Sequence, residues 1–327
     1  LINSGNANAG TGAQGMENSV KTCAILASEL NIKLEQVLPF STGVIGQQLD
    51  LSKFELGIPQ AASEISPNNI AQVAKGILTT DLVEKTYSQV FQVNGITVTI
   101  SGIAKGSGMI RPDMATMLSF IFTDVQAEQS QLQEALTKAT NQSFNRITVD
   151  GDTSTNDACT LSATGASGVN LVDCKDEFQI ALNEVTKSLA HQIIKDGEGA
   201  TKFVEIRVKG GSSHEDCLEV AYTVAHSPLV KTALFASDAN WGRILAAVGR
   251  ANIKQLNIED INIYLNQLSI VKLGEPSPTY IEALGSVEMQ KTDIVITIEI
   301  GNSNIQESVW TTDFSYDYVK INTEYRT

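Results

Sequence analysis

Lys105-Gly-Ser-Gly-Met-Ile-Arg-Pro-Asp-Met-Ala115-Thr116-Met-Leu118 is the stretch around which this chain is organised. Before it, Ile96-Thr-Val-Thr-Ile100 alternates apolar and polar residues, the mark of a half-buried strand. After it, Met117-Leu-Ser-Phe-Ile-Phe122 reads as a second, more deeply buried strand. Gly106, Gly108 and Pro112 lie between the two and prevent regular pairing. The expectation is a lysine and a threonine on an irregular turn, with Lys105 exposed and contributing little to a core. Thr116 has two readings from residues alone. One is a strand-start threonine after a Gly/Pro turn. The other is a nucleophile: were the Ala115–Thr116 bond cut, Thr116 would carry a free α-amine beside its own hydroxyl. Such an amine, with a reference pKa of about 7.7–8.0, can act as a general base near neutral pH.

Composition bounds the rest. The chain has 327 residues, 42% of them apolar, and a net charge of −14 with 23 basic residues. This suits a soluble globular α/β protein of two lobes with a substantial core. No apolar run approaches the length of a membrane helix. No Lys/Arg cluster offers to neutralise phosphates, which argues against nucleic acid as a partner. Cys23, Cys159, Cys174 and Cys217 show no C-x-x-C spacing, and His191, His214 and His226 are not grouped with them. No metal site is therefore read, and the thiols fit a reduced, cytoplasmic setting.

Along the chain, helices are expected at about 13–30, 68–78, 126–144, 177–195 and 242–251, with 215–235 mostly helical. The first would turn Met16, Val20, Cys23, Ala27 and Leu30 to one face; the fourth, Phe178, Leu182, Val185, Leu189 and Ile193. Asn94-Gly95 between 87–93 and 96–100 is a strong hairpin signal. Strands are also read at 203–208 and 294–298, and the tail from Phe314 is read as a sheet-paired strand. Gly197 would cap the helix before it, with Glu198 exposed between two glycines. Gly10-Thr-Gly-Ala-Gln-Gly15 has the form of a dinucleotide fingerprint, but Ser4-Gly-Asn-Ala-Asn8 is not the buried strand that must precede one. Thr148–Asp157 is polar and acidic, without the residue order of a calcium loop. Ser41-Thr-Gly-Val-Ile-Gly46 is either a connecting loop or a glycine turn aiming a donor at a developing oxyanion.

The Lys105–Leu118 segment is similar to the self-cleavage segment of the ornithine acetyltransferase family, the bifunctional glutamate N-acetyltransferases of arginine biosynthesis. Asn3-Ser-Gly-Asn-Ala-Asn-Ala9, Ser41–Gly46, Thr79-Thr-Asp81, Asp196-Gly-Glu-Gly-Ala-Thr-Lys202, Ser237-Asp-Ala-Asn-Trp-Gly-Arg243 and Tyr318-Val-Lys-Ile-Asn322 resemble further family blocks, in the family's order. The resemblance implies a two-lobed layered α/β sandwich resembling, but distinct from, the N-terminal-nucleophile hydrolase fold. It implies self-cleavage at Ala115–Thr116 into an alpha piece, 1–115, and a beta piece, 116–327, that stay associated, as a heterotetramer. The chain opens at Leu1 inside a family block, so a leading segment is expected to be absent from it.

The implied reaction is acetyl transfer from N2-acetyl-L-ornithine to L-glutamate through an acetyl-threonine at Thr116, with acetyl-CoA a further donor in some members and no metal or cofactor. Thr42 and Gly43 would form the oxyanion hole. Thr79, Lys105, Thr116, Glu198, Asn322 and Thr327 would contact substrate. Two other readings stand beside this one: a self-cleaving N-terminal-threonine aminopeptidase or amidohydrolase, and a dinucleotide-binding protein using Gly10–Gly15.

Overall fold

The computed structural model describes residues 1–111, 117–254 and 256–325. From the start the chain runs through β1 (Ile2–Asn3), α1 (Gly12–Glu29), β2 (Phe40–Ser41), α2 (Leu51–Ser63) and α3 (Ile70–Gly76). A long hairpin, β3 (Lys85–Val93) and β4 (Ile96–Lys105), leads to β5 (Leu118–Thr123), α4 (Gln129–Asn141), β6 (Ile147–Thr148), β7 (Ala158–Ala163) and α5 (Lys175–Lys195). Then come β8 (Phe203–Lys209), α6 (His214–Ala225), α7 (Pro228–Phe235), α8 (Trp241–Gly249), β9 (Asn262–Leu265), β10 (Leu268–Lys272) and β11 (Glu275–Pro276). The chain closes with α9 (Glu282–Met289), β12 (Asp293–Glu299), β13 (Gln306–Thr311) and α10 (Tyr316–Glu324).

The β3–β4 hairpin forms because Asn94 and Gly95 both adopt positive φ, the twist that a two-residue turn needs to match its strands. β4 continues antiparallel to β5, and β5 pairs parallel with β7, completing a four-stranded sheet. Val98 and Ile100 of β4 point to one face, against Val185 and Leu189 of α5. The five residues expected on the inner face of α5, Phe178, Leu182, Val185, Leu189 and Ile193, are all buried in this first core. Ile103, Leu118 and Phe120 point to the opposite face and meet Ala74 and Ile77 from the end of α3.

A second sheet of seven strands has the order β11-β10-β9-β12-β8-β13-β6. Val204, Ile206 and Val208 of β8 and Ile294, Ile296 and Ile298 of β12 face α6 and α8, enclosing a second core. On the other side of this sheet, Phe203 and Trp310 pack edge-on against His191 of α5. α5 thus lies between the two sheets, and the molecule is a layered α/β fold of two cores. Among the described residues no helix is long and apolar enough to cross a membrane.

Three expectations are corrected, and one helix is added. The tail is a helix, not a strand: the Ser315 hydroxyl accepts the Tyr318 N–H at its start, and Phe314 stacks on Tyr318. The cap turns Tyr316–Asn322 helical in spite of its strand-forming residues. Helix α2, capped by Asp50, was not read from sequence; Pro59 within it masks the helical signal. α1 buries Gly15, Asn18, Ser19, Thr22, Cys23 and Ala27, while Met16, Val20 and Leu30 are exposed, because the face that packs is the one lined by small residues. After α5 the left-handed residue is Gly199, not Gly197. A Cβ at Gly199 would meet the Ser315 hydroxyl and the Tyr318 nitrogen, both at 2.5 Å, so glycine there lets α10 dock.

His191 and His226 are partly buried, and their pKa values are pushed down to about 4. Burial is the main cause, with Lys187 and Lys195 adding to it at His191 and Arg111, Lys231 and Arg250 at His226. An unfolded histidine takes up its proton near pH 6.5, so between pH 6.5 and about 4 the unfolded chain binds more protons than the folded one. Stability therefore falls as pH drops through that window. His191 Nε2 is buried without a hydrogen-bond partner among the described residues. His191→Phe keeps the aromatic contact and removes the titration. Its melting temperature is expected to match or exceed that of the parent at neutral pH and to fall less steeply on acidification.

Candidate active site

Lys105 is the last residue of β4, paired to Leu118 of β5, and is only 8% exposed. The expectation of an exposed turn lysine is thus overturned: strand pairing carries β4 five residues beyond Ile100 and buries the ammonium. Its Nζ donates to Thr42 Oγ1 at 2.8 Å and Thr79 Oγ1 at 3.1 Å. Burial lowers its pKa, and Asp81 and Asp157 act in the opposite direction. A change at Lys105 therefore touches folding as well as ligand binding.

Asp81 organises this corner. Its carboxylate accepts the Thr79 N–H at 3.1 Å, the Gly106 N–H at 2.7 Å and Lys85 Nζ at 2.6 Å. Burial works to raise the Asp81 pKa, but Lys85 and Lys105 outweigh it and hold the carboxyl below its usual value. Lys85, fully buried, also donates to Asp196 Oδ2 at 2.6 Å. That oxygen further receives the Leu82 N–H at 3.0 Å. One ion network thus links the Thr79–Lys85 segment, the turn after β4 and the end of α5.

Thr42 and Gly43 approach from the other side, at the end of β2. The Thr42 N–H donates to Asn3 O at 3.1 Å, so the backbone of Thr42 is committed to pairing. Its hydroxyl accepts from Lys105 and keeps its own hydrogen to donate. Gly43 has φ +124°, and a Cβ there would lie 2.3 Å from the Gly5 carbonyl carbon. Glycine is required by this backbone crossing, and Gly43→Ala would disturb the fold as well as any donor.

Glu198 is 6% exposed, where a solvated turn acid was expected. Its N–H donates to Ser107 O at 3.0 Å, and Asn322 Nδ2 of α10 donates to its Oε2 at 2.7 Å. The turn folds inward because Ser107 Oγ donates to Asp196 O at 2.6 Å, clipping it beside Ser107 and Gly108. Thr42, Gly43, Thr79, Lys105, Glu198 and Asn322 all line one cleft of about 200 Å³. Ala115, Thr116 and Thr327 lie outside the described residues.

The sequence reading missed the acidic side of this cleft. Asp150 accepts the Met109 N–H at 2.7 Å, the Ile110 N–H at 2.9 Å and the Tyr318 hydroxyl at 3.2 Å, and burial raises its pKa. Asp157 is pushed to about 7, chiefly by burial, with Lys105 opposing. Asn156 Nδ2 donates to Asn8 Oδ1 at 2.5 Å, tying the loop to the N-terminal segment. The signal was the acidic run 148–157, weighed only as a calcium loop. Among the described residues no group of three or more His, Cys, Asp or Glu side chains is arranged to hold a metal. Gly10–Gly15 follows only the two-residue β1 and a loop, so the arrangement a dinucleotide would need is missing there.

The layered fold and a cleft that combines a buried ammonium, hydroxyls, an amide and carboxylates define an α/β enzyme suited to small zwitterionic molecules. The model of the ArgJ family matches residues 1–327, and the chain belongs to that family. It is similar to curated proteins described as arginine biosynthesis bifunctional protein ArgJ. That of Pseudomonas fluorescens (strain Pf0-1) is 50% identical over 332 residues, covering 100% of this chain and 82% of the relative. That of Psychrobacter arcticus (strain DSM 17307 / VKM B-2377 / 273-4) is 48% identical over 331 residues, covering 100% and 81%. A crystal structure of the arginine biosynthesis bifunctional protein argJ from Bacillus halodurans aligns with a TM-score of 0.60 at 37% identity. It covers 63% of this chain and 98% of the solved one.

Removing the charge of Asp81 tests the network. Asp81→Asn leaves Lys85 and Lys105 buried with one compensating carboxylate fewer. Breaking a buried ion pair typically destabilises by about 3–5 kcal/mol. The expected result is a lower denaturant midpoint; an unchanged midpoint would mean that the network carries no net stability.

Proposed function

We infer that this chain transfers an acetyl group from N2-acetyl-L-ornithine to L-glutamate, within arginine biosynthesis. The observation that carries the reading is the convergence of Thr42, Gly43, Thr79, Lys105, Glu198 and Asn322 on one cleft, in a chain of the ArgJ family. The family match also speaks against the aminopeptidase and dinucleotide readings.

In this reading the chain is cut at Ala115–Thr116, and Thr116 is the nucleophile. The pieces 1–115 and 116–327 stay joined because β4 and β5, on either side of the cut, form one ladder from Ile100–Thr123 to Lys105–Leu118. The first core is likewise built from both pieces. The solved Bacillus halodurans chain is matched over 98% of itself by 63% of this chain, close to the share that 116–327 represents. Association of two copies of each piece belongs to the same proposal.

Thr116 Oγ attacks the acetyl carbonyl while its α-amine takes the hydroxyl proton. The oxyanion is received by the Thr42 hydroxyl and the Gly43 N–H, the donors left once the Thr42 N–H is given to Asn3. Lys105, bonded to Thr42 Oγ1, polarises that hydroxyl. Lys105 and Thr79 suit the substrate carboxylate and Glu198, held by Asn322, the ammonium; Thr327 completes the set of proposed contacts. Ornithine leaves, glutamate enters, and the acetyl group passes to its amine in a ping-pong cycle, with acetyl-CoA an alternative donor.

Two outcomes test this. The purified chain should run under denaturing conditions as two fragments, the second beginning at Thr116, and Thr116→Ala should remain one inactive chain. Two fragments from Thr116→Ala would assign the cut to an outside protease. Thr42→Ala should lose roughly 100- to 1,000-fold in kcat with little change in KM, because a hydroxyl donating to the oxyanion acts most strongly in the transition state. A normal kcat would move the oxyanion hole elsewhere.

A further inference from the structure

The cleft receives Asn322 from α10, a helix that buries none of its own residues. A helix so lightly packed stands wherever its base is held. That base is the segment from Thr311 to Ser315, of which Thr311, Thr312 and Asp313 are at most 1% exposed. Lys231 of α7, which has no part in the reaction described above, grips this segment. We propose that Lys231 is a positioning residue for substrate binding. By fixing the base of α10 it sets Asn322 against Glu198, the pair to which the substrate ammonium is assigned. The proposal rests on the acetyl-transfer reading above and deepens it.

Four contacts tie Lys231 to the base. Its Nζ donates to Thr311 Oγ1 at 2.9 Å and to the Thr312 carbonyl. The ammonium lies 4.6 Å from the centre of the Phe314 ring. The Lys231 carbonyl accepts the Phe314 N–H at 3.2 Å. Phe314 in turn stacks on Tyr318, with ring centres 4.8 Å apart. The Tyr318 carbonyl accepts Asn322 Nδ2 at 2.9 Å. Contact therefore runs without a gap from Lys231 to Asn322.

The same segment holds the other half of the pair. Asp313 accepts the Thr201 N–H at 2.8 Å, the Thr201 hydroxyl at 2.6 Å and the Lys202 N–H at 3.0 Å. The Thr312 hydroxyl donates to Lys202 O at 2.7 Å. Thr201 and Lys202 lie just beyond the turn that carries Glu198. Lys231 thus bears on one block from which both Glu198 and Asn322 project. Helix α10 also acts as a lever. Asn322 lies beyond Tyr316 by about 9 Å at a rise of about 1.5 Å per residue, so a tilt of about 10° at the base moves it roughly 1.5 Å. That is enough to break its 2.7 Å hydrogen bond to Glu198.

The state of Lys231 supports the same role. Its side chain is 1% exposed, and burial pushes its pKa down to about 7, with Asp313 and Asp150 opposing. An apolar side chain would fill the space without losing the hydration of an ammonium. It could not hold the Thr311 hydroxyl and the Thr312 carbonyl together, and those two acceptors are what a lysine supplies here.

The test separates binding from chemistry. Two acetyl donors are compared on the purified enzyme: N2-acetyl-L-ornithine, which carries the ammonium, and p-nitrophenyl acetate, which carries none. Lys231→Met should raise KM for N2-acetyl-L-ornithine roughly tenfold, as loss of one hydrogen bond to a charged group does. Its kcat, and the rate of nitrophenol release from p-nitrophenyl acetate, should stay within about twofold of wild type. Added to Asn322→Ala, Lys231→Met should raise KM little further, because the two residues act through one contact. Equal losses with both donors would reveal a merely structural role and overturn the proposal. An unchanged KM, or fully additive effects of the two substitutions, would overturn it as well. Should Lys231→Met fail to fold, Thr311→Val is read by the same criteria, since it deletes one acceptor of the ammonium and keeps the side-chain shape. A wild-type enzyme that moves no acetyl group from N2-acetyl-L-ornithine to glutamate sinks the acetyl-transfer reading, and this proposal with it. Normal wild-type transfer beside an unaffected Lys231→Met sinks the proposal alone.

Discussion

The contact between Lys85 and its two carboxylates, Asp81 and Asp196, is the constraint on which the cleft depends. Both ion pairs are 2.6 Å long and their side chains are almost wholly removed from solvent. An ammonium moved from water into a protein interior loses several kcal/mol of hydration even after relaxation, so it is tolerated only with close, well-aligned partners. That requirement brings together two distant parts of the chain. Asp81 lies before the β3–β4 hairpin, Lys85 begins it, and Asp196 directly follows α5. Once they meet, Asp81 has oxygens left to hold the Thr79 and Gly106 amides. Those bonds set where Lys105 and its threonine partners stand.

The two walls of the cleft are held by different means. On the Thr42–Gly43 side, backbone meets backbone, and the absence of a side chain at Gly43 is what permits it. On the Glu198 side, α10 docks through Tyr318 to Asp150 and through Asn322 to Glu198. Asp150 grips the Met109 and Ile110 amides directly before the segment that contains Ala115 and Thr116. The C-terminal helix and the turn after β4 are therefore coupled through one carboxylate. Packing of α5 between the sheets anchors this arrangement, since its inner face, from Phe178 to Ile194, is buried in the first core.

Much of this was legible before any coordinates. The inner face of α5, the Asn94-Gly95 hairpin and the strands at 203–208 and 294–298 follow from local periodicity and turn chemistry, which depend on neighbours in sequence. Those signals hold because residues a few positions apart already decide which face is apolar. The tail did not follow the same rule. Its strand-like residues were overridden by a local serine cap, Ser315 to Tyr318, and by docking onto Gly199, a contact between segments far apart in the chain.

The sequence by itself singled out the blocks around Thr42, Thr79, Lys105, Glu198 and Asn322 from residue type and order, and the fold brings them to one cleft. It could not say that Lys105 and Glu198 are buried, that the Thr42 amide is spent on Asn3, or that Asp157 stands against the segment after Thr116. Burial and the assignment of each donor to an acceptor depend on which surfaces the folded chain brings together. A glycine-flanked lysine has the same sequence whether water or a protein interior surrounds it. Only tertiary packing decides the medium around a charge, and the medium sets its pKa and its use.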